Sequence, residues 1–235
     1  MIVKPKNIKR ETEFTMENYF DKIMGNDSIP RQIRETVHSE MRHALEVSNI
    51  AVLISRELHK DEKFCGDIAV AGVLHDIGKL RVNRYVYSDE SDDTLVVEQM
   101  KYVRMHSAYS RDILKNENYP ENIIEAVYHH HENYDGSGYP DGLKGNNIPE
   151  MSRILRTCDV FSALITDRSY RKAFDKKTAM AIMIDEVEDY DMEVFLAFQR
   201  VFHADDFPKI EMLQQSATEL QMKHFNLFEK EAVSF

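Results

Sequence analysis

Five histidines and two aspartates stand where apolar helix faces would carry them inward: His43, His75, Asp76, His106, His130, His131 and Asp159. His43 is four residues before Val47 and shares its stripe. His75 and Asp76 close the most apolar stretch of the chain, and Lys79 lies one turn beyond both. His106 follows Val103 by three residues, His130 and His131 follow Val127 by three and four, and Asp159 follows Leu155 by four. Taken singly, each has an ordinary use. A histidine on an apolar face is more often a hydrogen-bonded core residue, an inward aspartate more often a cap or ion-pair partner, and HHH at 129–131 can be a helix end. Taken together they are different, because an apolar core has no use for so many polar groups from five helices. Burying a carboxylate is expensive unless it is paired or bound to metal, and helix bundles build dinuclear sites from side chains on facing helices.

Imidazole and carboxylate without thiolate suit iron, manganese, zinc, cobalt or nickel. Seven ligands exceed the four of a structural zinc site, so two ions are more natural than one. Asp76 can bridge them through its two oxygens. Two ions about 3.5–4 Å apart can hold a water or hydroxide and stabilise both oxygens of an in-line phosphoryl displacement.

The elements that must position these groups read as helices. Half of the 8 glycines lie between Gly136 and Gly145, and the rest of the chain is rich in Glu, Met, Leu, Ala and Lys. Ser28-Ile-Pro30 reads as a helix start, and Val47, Ile50, Ala51, Ile54 and Leu58 form a stripe behind it. Further helices are expected over about 66–79, 95–115, 120–131, 151–166, 176–188 and 192–201, with one more after Phe207. An acidic loop covers 87–94 and a compact glycine loop Asp135–Pro149. No stretch offers a convincing strand. The expected fold is all-α, with an N-terminal extension over 1–30, a catalytic bundle over 31–205 and a C-terminal helical extension over 206–235. That last helix is either a lid or a dimer surface.

Charge and composition exclude several functions. With 30 Lys and Arg against 41 Asp and Glu, the net charge is −11, the wrong sign for a general DNA or RNA binder. A phosphate ligand is still accessible if metal ions supply positive charge. The longest apolar run, Ile68–Leu74 counting Gly72, is far short of the ~20 residues of a membrane span. MIVKPKNIKRE lacks the apolar core of a signal peptide. Two cysteines are too few for a disulfide framework and fit a reducing cytoplasm.

Three stretches resemble the HD-GYP phosphodiesterases, a branch of the HD-domain metal phosphohydrolases. LHDIGK at Leu74–Lys79 resembles the HD motif, HHENYDGSGYPDGLKGNNIP at His130–Pro149 the glycine-loop signature, and RILRTCDVFSALITDRSYRKA at Arg153–Ala173 the helix that follows. DYDMEVFLAF at Asp189–Phe198 is similar to the closing segment. The resemblance implies an HD-domain helical bundle that hydrolyses cyclic di-GMP to pGpG or GMP. It implies two divalent metals, Fe or Mn, on His43, His75, Asp76, His106, His130, His131 and Asp159. Asp76 and Lys79 would serve catalysis, with a metal-bridging hydroxide as nucleophile, and Tyr139, Arg168 and Arg171 would contact the substrate.

The chain departs from the family pattern at several points. Ser39 stands where many members carry a Glu that helps bind a third metal, so two metals are expected, with hydrolysis stopping at pGpG. Glu46 stands where Arg is frequent, and Ser162 replaces an Asp expected near the guanine edge. Ser169 replaces a Pro, and the loop after the HD motif is acidic and lacks its usual prolines. Two alternatives follow: a metal-holding module that binds a cyclic dinucleotide or protein partner with little turnover, and a phosphodiesterase for another cyclic dinucleotide. Control is expected from a partner, the termini, or metal and redox state. A homodimer and a signalling-protein partner are both open. His129 is expected at the surface or behind the site, Cys158 in the core, and the acidic runs 89–93 and 185–193 on solvated faces.

Overall fold

Aspartates and prolines punctuate the chain into helices, as a sequence poor in other breakers requires. The computed structural model describes residues 31–79, 81, 103–167 and 171–204. Among these residues there are seven α-helices and no strand: α1 Arg31–Glu57, α2 Glu62–Leu74, α3 His106–Asn116, α4 Glu121–Tyr128, α5 Glu150–Ile165, α6 Lys176–Asp185 and α7 Met192–His203. The all-α expectation holds. The two extensions, the start at Ser28–Pro30, the acidic loop at 87–94 and the helix after Phe207 lie outside the described residues, as do Arg168 and Ser169.

Asp61, Asp175 and Asp191 cap α2, α6 and α7 by accepting backbone N–H groups of the first turn. Pro120 and Pro149 stand immediately before α4 and α5. Asp61 makes α2 start earlier than the glycine at 66 suggests. It also ends earlier, at Leu74, because residues 75–78 form a turn pinned to α3. There the Ser110 hydroxyl accepts from Gly78 N at 2.8 Å and donates to the His75 carbonyl at 3.0 Å.

The described residues from Glu40 onward belong to one compact unit. Its core takes Val47, Ile50, Ala51 and Ile54 from α1, Ile68 and Ala71 from α2, Ala126 and Val127 from α4, Ile154, Leu155 and Phe161 from α5, and Phe198 from α7. At Gly72 a Cβ would stand 2.6 Å from Ser48 Cα, so α1 and α2 touch backbone to backbone. This contact brings the helix carrying His43 against the one that ends at His75. Asp191, expected on a solvated face, is instead buried: it caps α7 and pairs with Arg153 of α5. No helix among the described residues is long and apolar enough to cross a membrane.

Candidate metal centre

Three of the cluster histidines are aimed by a backbone bond on the far side of the ring. His75 Nδ1 donates to Gly72 O at 2.8 Å, His106 Nδ1 to Val103 O at 2.5 Å and His130 Nδ1 to Val127 O at 2.6 Å. A carbonyl can only accept, so these three rings carry a proton on Nδ1 and present Nε2 to the site. The carbonyls belong to the last turn of α2, the residues before α3, and the last turn of α4. Backbone geometry therefore sets the direction of the rings.

The inward atoms fall into two sets around one carboxylate. Asp76 Oδ1 lies 3.1 Å from His106 Nε2 and 3.9 Å from His130 Nε2. His106 Nε2 is in turn 3.3 Å from His130 Nε2 and 3.1 Å from His131 Nε2. Asp76 Oδ2 lies 3.1 Å from His75 Nε2 and 3.9 Å from His43 Nε2. Asp159 Oδ1 joins that second set, 3.0 Å from His43 Nε2 and 3.8 Å from His75 Nε2. In each of the groups Asp76–His106–His130–His131, His43–His75–Asp76 and His75–His130–Asp159, the ligand atoms lie within 4.8 Å of one another.

The residues fit divalent metals, and unpaired atoms supply the reason. His43 Nε2, His75 Nε2 and Asp76 Oδ1 are buried without a hydrogen-bond partner. The lone pairs of His106 and His130 face each other at a distance where two acceptors repel. Protein groups alone leave this arrangement unsatisfied, and a cation between them resolves it.

Electrostatics prepare the same groups. Burial opposes ionisation of Asp76, yet Lys79 and His75 hold its carboxyl well below the usual carboxylate range. Burial likewise opposes ionisation of Asp159, which His43 and His131 hold well below that range. Burial, helped by His75 and His106, pushes His130 down to about 3, and burial beside His130 pushes His131 well below its usual value. Both rings are neutral at pH 7, the form that binds metal. For His75 burial opposes the charge, but Asp76 and Asp159 pull its pKa up to about 9.

The rim of the site carries cations and an aromatic ring. Lys79 Nζ is 2.5 Å from Asp76 Oδ2 and 3.5 Å from Glu40 Oε2. Burial works against its charge, but these carboxylates keep it protonated. The Tyr139 ring stacks on His131 with centroids 4.7 Å apart, and the Arg104 guanidinium lies 5.1 Å from the Tyr139 centroid. Burial, with Asp159 nearby, pushes the Tyr139 phenol up, so it stays a neutral donor. The loop bearing Tyr139 hangs on Glu132, a carboxylate only 1% exposed, which accepts from Asp141 N at 2.8 Å and Leu143 N at 3.1 Å. The Tyr139–Pro140 peptide is cis.

Of the site residues expected from the sequence, the seven metal-ligating groups, Lys79 and Tyr139 come together. His75, Asp76, His130 and His131 sit in the turns just after α2 and α4 rather than inside them, because those turns swing the rings across the helix ends. Arg171 goes elsewhere: it donates to the carbonyls of Ala163, Leu164 and Lys172 and lies over the Phe174 ring. Those bonds satisfy carbonyls at the end of α5. Ser162, expected near a guanine edge, is fully buried against His43 and Glu46. His129 is 5% exposed between Glu125 and Glu132, so of its two expected positions the surface is excluded and the one behind the site agrees. Cys158 is buried, as expected. Sequence reading assigned no role to Glu132, Glu40 or Arg104. The first stands beside the histidine pair and the second is near Lys79 only in space.

Comparisons with known proteins place the chain in a family. The HD domain model matches residues 26–194. The chain is 30% identical over 157 residues to a cyclic di-GMP phosphodiesterase of Pseudomonas aeruginosa, covering 66% of this chain and 37% of that one. It is 33% identical over 162 residues to a 3′3′-cGAMP-specific phosphodiesterase of Vibrio cholerae, covering 68% and 35%. The chain thus spans little more than a third of the length of these relatives. Among solved structures, a cyclic GMP-AMP-specific phosphodiesterase of V. cholerae superposes with a TM-score of 0.54 at 17% identity, covering 70% of this chain and 44% of that one. An HD-GYP-type protein from Bdellovibrio bacteriovorus gives 0.57 at 18% identity, covering 79% and 60%. Both likenesses concern the fold.

Proposed function

Because this chain belongs to the HD-domain family, in its HD-GYP branch, we propose that it is a divalent-metal-dependent phosphodiesterase that hydrolyses cyclic di-GMP to pGpG, GMP or both. One observation carries the reading: the two oxygens of Asp76 face two different sets of imidazole nitrogens, 3.1 Å from His106 on one side and 3.1 Å from His75 on the other. A bridging carboxylate between two ions has this disposition. His106, His130, His131 and Asp76 would hold one ion, and His43, His75, Asp159 and Asp76 the other. Nitrogen and oxygen ligands without thiolate favour iron or manganese. Bound there, the ions supply an activated water and neutralise charge at the scissile phosphate.

The chain's own groups do the rest. Lys79 keeps its proton and orients Asp76 while presenting positive charge at the site edge. Tyr139 offers a ring face to a base and a phenol proton to a phosphate oxygen, and Arg104 beside it offers a guanidinium. In a chain of net charge −11, these cations and the metals are what draw a dianionic dinucleotide to this one place. We place the catalytic unit at residues 31–205 and the protein in the cytoplasm.

A second substrate deserves equal trial, because the 3′3′-cGAMP-specific relative matches at 33% identity over 68% of this chain. The test is anaerobic loading with Fe(II) or Mn(II), addition of cyclic di-GMP or 3′3′-cGAMP in parallel, and chromatography of products beside Asp76→Ala. Linear products from the intact protein alone support the reading, and the faster substrate names the specificity. Metal-loaded protein that binds either dinucleotide and releases no product would instead make it a sensor module.

A further inference from the structure

A buried chain of hydrogen bonds runs behind His43. Its Nδ1 is 2.9 Å from Ser162 Oγ, and Ser162 Oγ donates to Glu46 Oε2 at 2.7 Å. Ser162 is fully buried and His43 is 5% exposed. The direction of the bonds follows from valence. A hydroxyl has one proton and a carboxylate only accepts, so the Ser162 proton goes to Glu46. The Ser162 oxygen must then accept from His43, which fixes the imidazole proton on Nδ1. The nitrogen left with a lone pair is Nε2, the one that faces Asp159 and Asp76 and has no hydrogen-bond partner.

The arrangement also sets two helices in register. His43 and Glu46 are one turn apart on α1, and Asp159 and Ser162 are one turn apart on α5. Two matched pairs therefore meet across the interface, one at the metal centre and one directly behind it. His75, His106 and His130 have backbone carbonyls behind them. His43 alone among these four has a hydroxyl backed by a carboxylate. A carboxylate acting through a hydroxyl raises the donor strength of the ring and holds its plane. Glu46 and Ser162, two separate departures from the family pattern in the sequence, are here one contact.

We propose that Ser162 and Glu46 are positioning residues of the metal centre: through the Ser162 hydroxyl, the Glu46 carboxylate fixes the Nδ1–H form of His43 and strengthens its Nε2 as a metal donor. This rests on the reading of His43 as a ligand. Mn(II) alone is the probe, titrated into the full-length metal-free protein and followed by the electron paramagnetic resonance signal of free Mn(II). Ser162→Ala is expected to weaken one class of sites about 10- to 100-fold. Ser162→Thr keeps the hydroxyl and should restore most of the affinity. Glu46→Gln still accepts from Ser162 but carries no charge, so it should weaken Mn(II) binding by less than Ser162→Ala does.

The deciding comparison repeats Ser162→Ala in a His43→Gln background, where it should cost no further affinity. An equal loss in both backgrounds, or no loss in the native one, overturns the proposal and leaves His43 as a ligand. If His43→Gln itself leaves Mn(II) binding intact, the ligand reading falls and the proposal with it.

Discussion

Lys79 Nζ lies 2.5 Å from the Asp76 oxygen that faces His75. The ammonium therefore sits on the carboxylate proposed to bridge the two ions, at the edge of the site, with Glu40 as its second partner. It is close enough to meet a phosphate that reaches the metal centre, and it keeps its charge. Replacing it by Met should lower kcat by about 100-fold or more, the scale of losing one charge-stabilising group. Metal content should stay near that of the native protein, because Lys79 contributes no ligand. Metal analysis beside steady-state kinetics checks this; a variant that loses its metal and its activity together would make Lys79 a structural prop.

Metal binding should release a proton. With no metal bound, His75 has a pKa of about 9, so it carries a proton at pH 7, while Asp76 is ionised and His130 and His131 are neutral. A metal must displace the His75 proton. Apparent affinity should then rise about tenfold per pH unit from 7 toward 9 and level off above. The same shift bears on folding. A histidine whose folded pKa is raised contributes stability that is complete below its unfolded pKa of about 6.5 and lost as pH rises through 9. The metal-free protein should accordingly lose stability across that window, and excess metal should reverse the trend. Titrations of Mn(II) at several pH values give the slope, and a flat profile contradicts the assignment.

Gly78 fixes the distance between the HD turn and α3. A Cβ there would stand 2.1 Å from the His106 carbonyl oxygen and 2.6 Å from Ser110 N, both backbone atoms with nowhere to move. Gly78→Ala should cost about 1–3 kcal/mol of stability by overpacking and shift His106 away from Asp76. Thermal unfolding and metal stoichiometry should fall together. Native values for both would mean that the turn and helix do not approach this closely.

The convergence of the histidines and aspartates was legible because helix periodicity ties them to apolar neighbours: His43 to Val47, His130 to Val127, Asp159 to Leu155. The supporting groups were not, because their partners are distant in sequence. Ser162 meets Glu46 across 116 positions, and no local pattern announces such a contact. The bonds of Arg171 were hidden for a related reason. Its place in the motif suggests phosphate, but the end of α5 leaves carbonyls unsatisfied and a guanidinium nearby takes them. The ends of α2 and α4 were read too late in the chain, since apolar periodicity says nothing of the turns that carry His75 and His130 past the last helical residue.

Glu132 should control the substrate loop without touching the metals. Its oxygens accept from the backbone of Asp141 and Leu143, 9 and 11 residues away, and so hold the segment after Tyr139 in place. Glu132→Gln exchanges one acceptor for an amide that faces an N–H group. One bond is lost and a donor is left against a donor, at a cost of about 1–3 kcal/mol. The loosened loop should raise KM for the dinucleotide more than it lowers kcat, because the Tyr139 ring no longer stands ready on His131. Hydrogen exchange at the Asp141 and Leu143 amides should speed up while metal content stays native. If those amides keep their protection and KM is unchanged, Glu132 does not anchor the loop, and Tyr139 must be held by its own bond to the His131 carbonyl and its stacking on that ring.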